Sequence, residues 1–232
     1  MSNQIMPEDF SEWNELMVAK HDPELFHHHP RGAARWIENS RVKTVVRLLA
    51  AKPEHKVLDV GCGAGNVLER LSGGTLQGLD LSKRMVEHAQ KRLGAKAKIE
   101  LGDAENLPFT STSFDRVLCS SVLSHVLHPD RVLEECFRVL KPGGRLVVSV
   151  SHEVNIERGM NIARSLGLSR ILLTDKSKPD HDHVYNSEYH LHHFSRKLLR
   201  EFAKKLPPES KMKSIPNFLM AIHVAAVYEK KA

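Results

Sequence analysis

At 232 residues, with 41% hydrophobic and 27% charged side chains, the chain has the composition of one globular domain with appendages and enough apolar material for a single substantial core. No apolar run approaches a membrane span, the start lacks the basic-then-apolar order of a signal peptide, and Cys62, Cys119 and Cys136 form no CxxC pair. A membrane anchor, a disulfide framework and a metal site are therefore not expected, whereas a cytoplasmic location with reduced thiols is.

The net charge of +6 is concentrated late: from residue 151 onward there are fourteen Lys and Arg against nine Asp and Glu. That balance suits a nucleic-acid or acidic partner, or a solvated helix face, since Arg196, Lys197, Arg200, Lys204 and Lys205 oppose a stripe of Leu198, Leu199, Phe202 and Leu206.

In chain order, the spacing of Phe10, Trp13, Leu16 and Met17 predicts a helix over 8–20. His27, His28 and His29 follow as a loop, because three adjacent imidazoles cannot face one metal from a regular helix or strand. A second helix over 32–51, ended by Pro53, carries Trp36, Ile37, Val42, Val45, Val46, Leu48 and Leu49 and packs on a sheet face. Val57 to Val60 is a short apolar strand carrying Asp59, and it breaks into Gly61, Cys62, Gly63 and Gly65 before a helix over 66–71. Alternating glycines let the backbone turn sharply and leave bare main chain for a ligand. No Gly-Lys-Ser/Thr ending follows, which excludes a phosphate-binding P-loop, and the third glycine comes one residue early for the dinucleotide fingerprint.

A second strand over 75–79 ends at Asp80, and Ser82 caps a helix over 83–93. A third strand over 97–101 leads into Gly102-Asp103-Ala104-Glu105-Asn106-Leu107-Pro108-Phe109. The fourth opens at Phe114 and runs to Cys119 and Ser120, with Asp115 read as structural. A helix over 129–140 is stopped by Lys141-Pro142-Gly143-Gly144, and the fifth strand covers 145–150. Strands alternating with helices predict an open, mostly parallel α/β sheet wound on both sides, with ligands at the carboxyl ends of the strands. Gly61, Asp80, Asp103 and Cys119 all fall at such ends.

On these residues the stretch from about 57 to 150 resembles a class I S-adenosylmethionine-dependent methyltransferase, in the branch typified by the ubiquinone/menaquinone biosynthesis methyltransferases. The resemblance implies a Rossmann-like, doubly wound seven-stranded sheet with an antiparallel closing strand and a helical N-terminal lid. It divides a single domain, 1–232, into a cap (1–53), a cofactor core (54–151), an acceptor-side insertion (152–194) and a closing part (195–232). It implies S-adenosyl-L-methionine as cofactor, held by Asp59, Gly61, Cys62, Gly63 and Gly65. Asp80 would accept from the ribose hydroxyls, Leu81 and Met85 would press on adenine, and Asp103 with the Ala104 amide would read the adenine edge. Cys119 and Ser120 would line the methionine end. Met85 is equally explained as a space-filling core residue, and His125 as either a pocket wall or a packed histidine.

Beyond 150 a helix over 155–173 and a polar loop over 175–182 are expected, and His181 and His183 lie nearby. Tyr189-His190-Leu191-His192-His193-Phe194-Ser195 precedes a helix capped by Ser195, and 212–217 with 221–228 form a closing antiparallel pair. Tyr189 and His193, with His125, are the acceptor-pocket candidates, and His193 is the candidate general base. The function expected is in-line methyl transfer to a small-molecule acceptor. The alternatives are a tRNA or other nucleic-acid methyltransferase, or a catalytically silent cofactor-binding module.

Overall fold

The structure, a computed structural model, describes residues 9–20, 32–165, 189–215 and 221–232. Seven strands build one sheet: β1 Lys56–Val60, β2 Thr75–Asp80, β3 Ala97–Leu101, β4 Phe114–Ser120, β5 Leu140–Ser151, β6 Lys211–Ile215 and β7 His223–Glu229. Their spatial order is β3-β2-β1-β4-β5-β7-β6. The first five pair in parallel, and β7 runs antiparallel to both β5 and β6. β1 pairs with β2 on one side and β4 on the other, so the strand order reverses there and a crevice opens at the tips of these strands. The expected doubly wound α/β sheet with antiparallel closing strands is the architecture observed.

The helices are α1 Phe10–Lys20, α2 Gly32–Leu49, α3 Asn66–Glu69, α4 Lys83–Leu93, α5 Pro129–Val139, α6 Glu153–Ser165 and α7 Arg196–Phe202. Alternation along the strands divides the core into two layers. Leu58, Val60, Val117, Val148 and Val150 face α5 and α7, whose Val132, Leu133, Cys136, Val139 and Leu199 recur at helical spacing and are buried. Val57, Leu118, Val147 and Ala225 face α2 and α4, packing on Val42, Val45, Leu49, Val86 and Ala89. Each such side chain contributes about 1.5 to 3 kcal/mol by leaving water.

Several boundaries differ from the sequence reading for identifiable reasons. The helix after the glycine loop stops at Glu69, and the amides of Arg70 and Leu71 tighten onto Val67 and Leu68 before the Gly73-Gly74 turn. The Lys141-Pro142-Gly143-Gly144 stretch is an irregularity inside β5, whose register to β4 jumps between Leu140 and Arg145. Lys230 holds it there, since Gly143 N donates to Lys230 O (2.8 Å) and Lys230 N donates to Gly144 O (3.1 Å). In α1 the buried residues are Asn14 and Val18, and Leu16 is 65% exposed, because the helix rests on a partly polar crevice and not on the apolar core. Asp115 sits at the far end of β4, bound to the Lys56 amide and the Lys141 ammonium, as a structural residue would be. The triple histidine at 27–29, His181, His183 and the end of the helix expected over 155–173 lie outside the described residues.

Candidate active site

The crevice begins at the glycine loop. Gly61 has φ +67°, and a Cβ there would stand 2.3 Å from Val122 Cγ2, so only glycine fits without a shift. At Gly63, with φ +51°, an added Cβ would meet nothing within 4 Å: this is the open face of the loop. Most amides of the loop are already used. Gly61 N and Cys62 N donate to Leu79 O (2.7 and 3.0 Å), Gly65 N donates to Cys62 O (3.0 Å), and Gly63 N donates to Asp80 Oδ2 (2.7 Å). A pyrophosphate needs such amides unengaged, so the loop is a poor anion cradle.

The acids around it point the same way. Asp59 is 1% exposed, and neither carboxylate oxygen has a hydrogen-bond partner. Burial, opposed by Arg41 and reinforced by Asp80, pushes its carboxyl up to about 8. A buried carboxyl without a hydrogen-bond partner is costly, and a cationic group placed beside it would offset that cost by favouring the ionised form. Burial also raises Asp80, against the hydrogen bonds it accepts from the Ser82 amide (3.0 Å) and the Gly63 amide. Ser82 caps α4 by accepting from Met85 N, as expected from the sequence, but Asp80 is not thereby left unengaged: it ties that turn to the glycine loop.

Leu81 is half-buried and lines a groove of about 460 Å³ with Ser11, Glu15, Lys83, Arg84, Glu87 and Leu101. Met85 is 2% exposed and packs with Ala64, Val18 of α1 and Tyr189. Asp103 is exposed and accepts from Glu105 N (2.8 Å), and the Ala104 side chain is buried in the core layer facing α5. This loop is braced from α5, where Glu135 accepts from Leu107 N (2.9 Å) and Arg138 donates to the carbonyls of Leu107 and Phe109 (3.1 and 2.8 Å).

Facing α2, the strand tips carry a polar row. Asp59, Ser120, Ser149 and His223 fall in the register of Val57, Leu118, Val147 and Ala225, which pack toward that helix. Arg41 of α2 descends onto this row. It is 6% exposed, gripped by Glu38 through two nitrogens, and donates to Ser120 Oγ, which in turn lies 2.7 Å from Ser149 Oγ. Periodicity alone assigned Arg41 no role; the available signal was a guanidinium four residues before Val45 and seven before Leu48, on an otherwise apolar stripe. Cys119 faces the other layer, fully buried beside Cys136, whose hydrogen bond, together with burial, raises the Cys119 thiol.

The opposite wall is aromatic. Ser121, just past β4, has φ +60°, an uncommon conformation for a non-glycine residue, of the kind that concentrates at functional sites. His125 lies 2.9 Å from Tyr189 O through Nδ1, with its ring 4.1 Å from the Tyr189 ring and 4.6 Å from that of His190. Burial lowers these imidazoles, His125 to about 4 and His190 to about 3, so both are neutral near pH 7. The segment is fastened further by Leu191 N on Ser124 O (2.7 Å) and His192 Nε2 near Val126 O (3.0 Å). His193 is exposed at the rim. Trp13, Asn14 and Glu15 of α1 cover the crevice, and none of the three was singled out from the sequence as a site residue.

In the basic last third, Arg200 pairs with Glu209 (2.7 Å), Lys205 pairs with Glu134 (2.6 Å) and Arg196 donates to Ser214. Three of the fourteen basic side chains counted there are thus paired on the surface of the fold. Among the described residues no helix is long and apolar enough to cross a membrane.

Comparison with known proteins agrees with this geometry. Residues 58–148 match the family model described as "Methyltransferase domain". A methyltransferase, GfsG, of Streptomyces halstedii is 39% identical over 103 residues, covering 41% of this chain and 37% of that protein. A demethylmenaquinone methyltransferase of Thermotoga maritima is 41% identical over 110 residues, 46% of this chain and 48% of that one. The chain thus spans under half the length of these curated relatives. A solved Thermotoga maritima structure, described as a SAM-dependent methyltransferase and possible histamine N-methyltransferase, shares the fold with TM-score 0.64 at 19% identity, over 96% of this chain and 100% of that one. Over residues 58–148 the chain is thus similar to S-adenosyl-L-methionine-dependent methyltransferases, enzymes of ubiquinone/menaquinone biosynthesis among them.

Proposed function

We propose that this protein transfers a methyl group from S-adenosyl-L-methionine to a small-molecule acceptor held against the His125–Tyr189 wall. The observation that carries the reading is Asp59, a buried carboxyl with no partner beside a glycine loop whose amides are largely spent. That combination fits a cofactor bearing an ammonium and a sulfonium better than one bearing phosphates. Asp59 and the open face at Gly63 would hold the amino-acid end together with Gly61, Cys62, Gly65 and Ser120, whereas the Cys119 side chain faces the other layer and only its main chain would take part. Arg41 is the cation within reach of this end, through Ser120. Asp80 would take the ribose, and Leu81, Met85, Asp103 and Ala104 the adenine.

When bound, the cofactor supplies an already activated methyl group, so the protein's work is alignment and exclusion of water, which in favourable model systems contributes about 7 to 11 kcal/mol. α1 covers the crevice and Tyr189 closes its acceptor side. Where an acceptor must lose a proton, His125 and His190 are poor bases near neutrality, because their environments disfavour the protonated ring. We assign that role to His193 at the rim. The surface pairing of Arg200 with Glu209 and of Lys205 with Glu134, and the Arg196–Ser214 hydrogen bond, partly offset the basic charge there and favour a small acceptor over a nucleic acid.

The test is S-adenosylhomocysteine formation from S-adenosylmethionine across phenols, amines and total tRNA. Turnover with a small molecule, insensitive to salt between about 50 and 200 mM, is expected. Turnover confined to tRNA and collapsing with salt would replace the acceptor reading, and failure of S-adenosylmethionine and S-adenosylhomocysteine alike to raise the Tm would remove the cofactor reading.

A further inference from the structure

α1 belongs to neither core layer, yet it touches both sides of the crevice through three consecutive residues. On the cofactor side the Glu15 carboxylate accepts from Ser82 Oγ (3.0 Å) and from the Lys83 amide at the start of α4. On the acceptor side Asn14 Oδ1 accepts from the Tyr189 hydroxyl (3.1 Å), and the Trp13 ring lies 5.9 Å from the Tyr189 ring. Asn14 is only 6% exposed. A buried amide is costly without a partner, and a helix that leaves Leu16 in water while burying Asn14 is oriented by this bond as much as by apolar packing.

Tyr189 passes the contact on. Its carbonyl lies 2.9 Å from His125 Nδ1, its ring packs on the His125 ring, and the residues after it are bonded to Ser124 and Val126. Within the reading of the crevice as a cofactor site, we propose that Tyr189 is a positioning residue that couples the two halves. Seating α1 over the cofactor sets the 189–195 wall through the Asn14–Tyr189 hydrogen bond, so cofactor occupancy organises the acceptor pocket. The consequence is positive coupling: a cofactor-loaded protein presents a more strongly ordered acceptor wall than a bare one.

Amide hydrogen exchange on the full chain tests this with S-adenosylhomocysteine as the probe. Without ligand, Tyr189→Phe and Asn14→Ala should each accelerate exchange in α1 by about two- to tenfold, the range of a single net hydrogen bond. The double variant should be no worse than either single one, because both remove the same bond. With ligand, protection in the wild type should spread from α1 to 189–195, whereas in Tyr189→Phe, which keeps the ring stack, it should stay on α1. Additive effects in the double variant, or an undiminished spread in Tyr189→Phe, would overturn the coupling. A non-additive cycle together with no ligand-induced protection anywhere in the wild type would instead sink the cofactor reading, and the transmission of cofactor occupancy with it.

Discussion

The crevice wall beneath α2 is held by charge, and the wall under Tyr189 by uncharged rings. On the first, Arg41 is clamped by Glu38 and reaches Ser120, with Asp59 left unpartnered beside it. On the second, His125, Tyr189 and His190 stack within 4.1 to 4.6 Å, their imidazoles kept neutral by burial. In the proposed reading the first wall would meet the charged cofactor. The second would offer shape and polarisable surface to an acceptor that the motif chemistry does not specify. The two respond differently to mutation and to pH, which makes the contrast testable.

The largest effect is expected where charge is buried. Arg41→Ala leaves Glu38 without its counter-ion in a site where both side chains are 12% exposed or less, and should cost about 3 to 5 kcal/mol in urea unfolding. Combining Arg41→Met with Glu38→Leu should recover most of that loss, and a double variant as unstable as the single one would show that the pair is not what holds this wall.

Gly61→Ala comes next, at about 2 to 4 kcal/mol, because a left-handed residue would be strained and its Cβ would press on Val122. Gly63→Ala, with open space around it, should cost only about 1 kcal/mol and should chiefly weaken cofactor binding. Equal losses in the two variants, by the same urea assay, would mean that Gly63 does not face open space, and undiminished S-adenosylhomocysteine affinity in Gly63→Ala would mean that a ligand does not lie there.

The aromatic wall should report through pH. His125 and His190 have folded values lowered to about 4 and 3, whereas the unfolded chain titrates near 6.5. Their contribution to stability is therefore complete above about pH 6.5 and is lost as pH falls toward 4, since the unfolded state takes up protons that the fold refuses. Each contributes on the order of 1 kcal/mol per pH unit in that window. His125→Asn should flatten the profile of urea midpoint against pH by about that amount, and an unchanged slope would mean that His125 is not held neutral.

The fold and the glycine-loop side of the crevice were legible because their information is local. The run Val57 to Gly65, the acid at the end of β2 and the turn after β3 each carry strand, turn and acid within a few residues, and parallel pairing then brings Gly61, Asp80 and the β4 tip together. The acceptor half was less legible. Asn14 meets Tyr189 across 175 residues, and no periodicity in α1 announces that its polar residue is the buried one. Arg41 was hidden for a related reason: a helical stripe reports what is apolar, and the guanidinium takes its meaning from Ser120 and Glu38. Apolar spacing also misjudged Leu16, because the surface that α1 covers is not the apolar core.

The central claim is that the crevice receives a cationic ligand at Asp59. Its folded value of about 8, against 3.8 for an ordinary aspartate, means that the unliganded protein holds a proton there at pH 7 that the unfolded chain does not, and this contribution to stability declines as pH rises toward 8. Titrating S-adenosylmethionine into the protein at pH 7, in two buffers of different ionisation enthalpy, measures that proton. The wild type should release roughly one proton on binding, and Asp59→Asn should release none while binding ~10- to 100-fold more weakly. Buffer-independent enthalpy in the wild type, together with undiminished affinity in Asp59→Asn, would contradict the account.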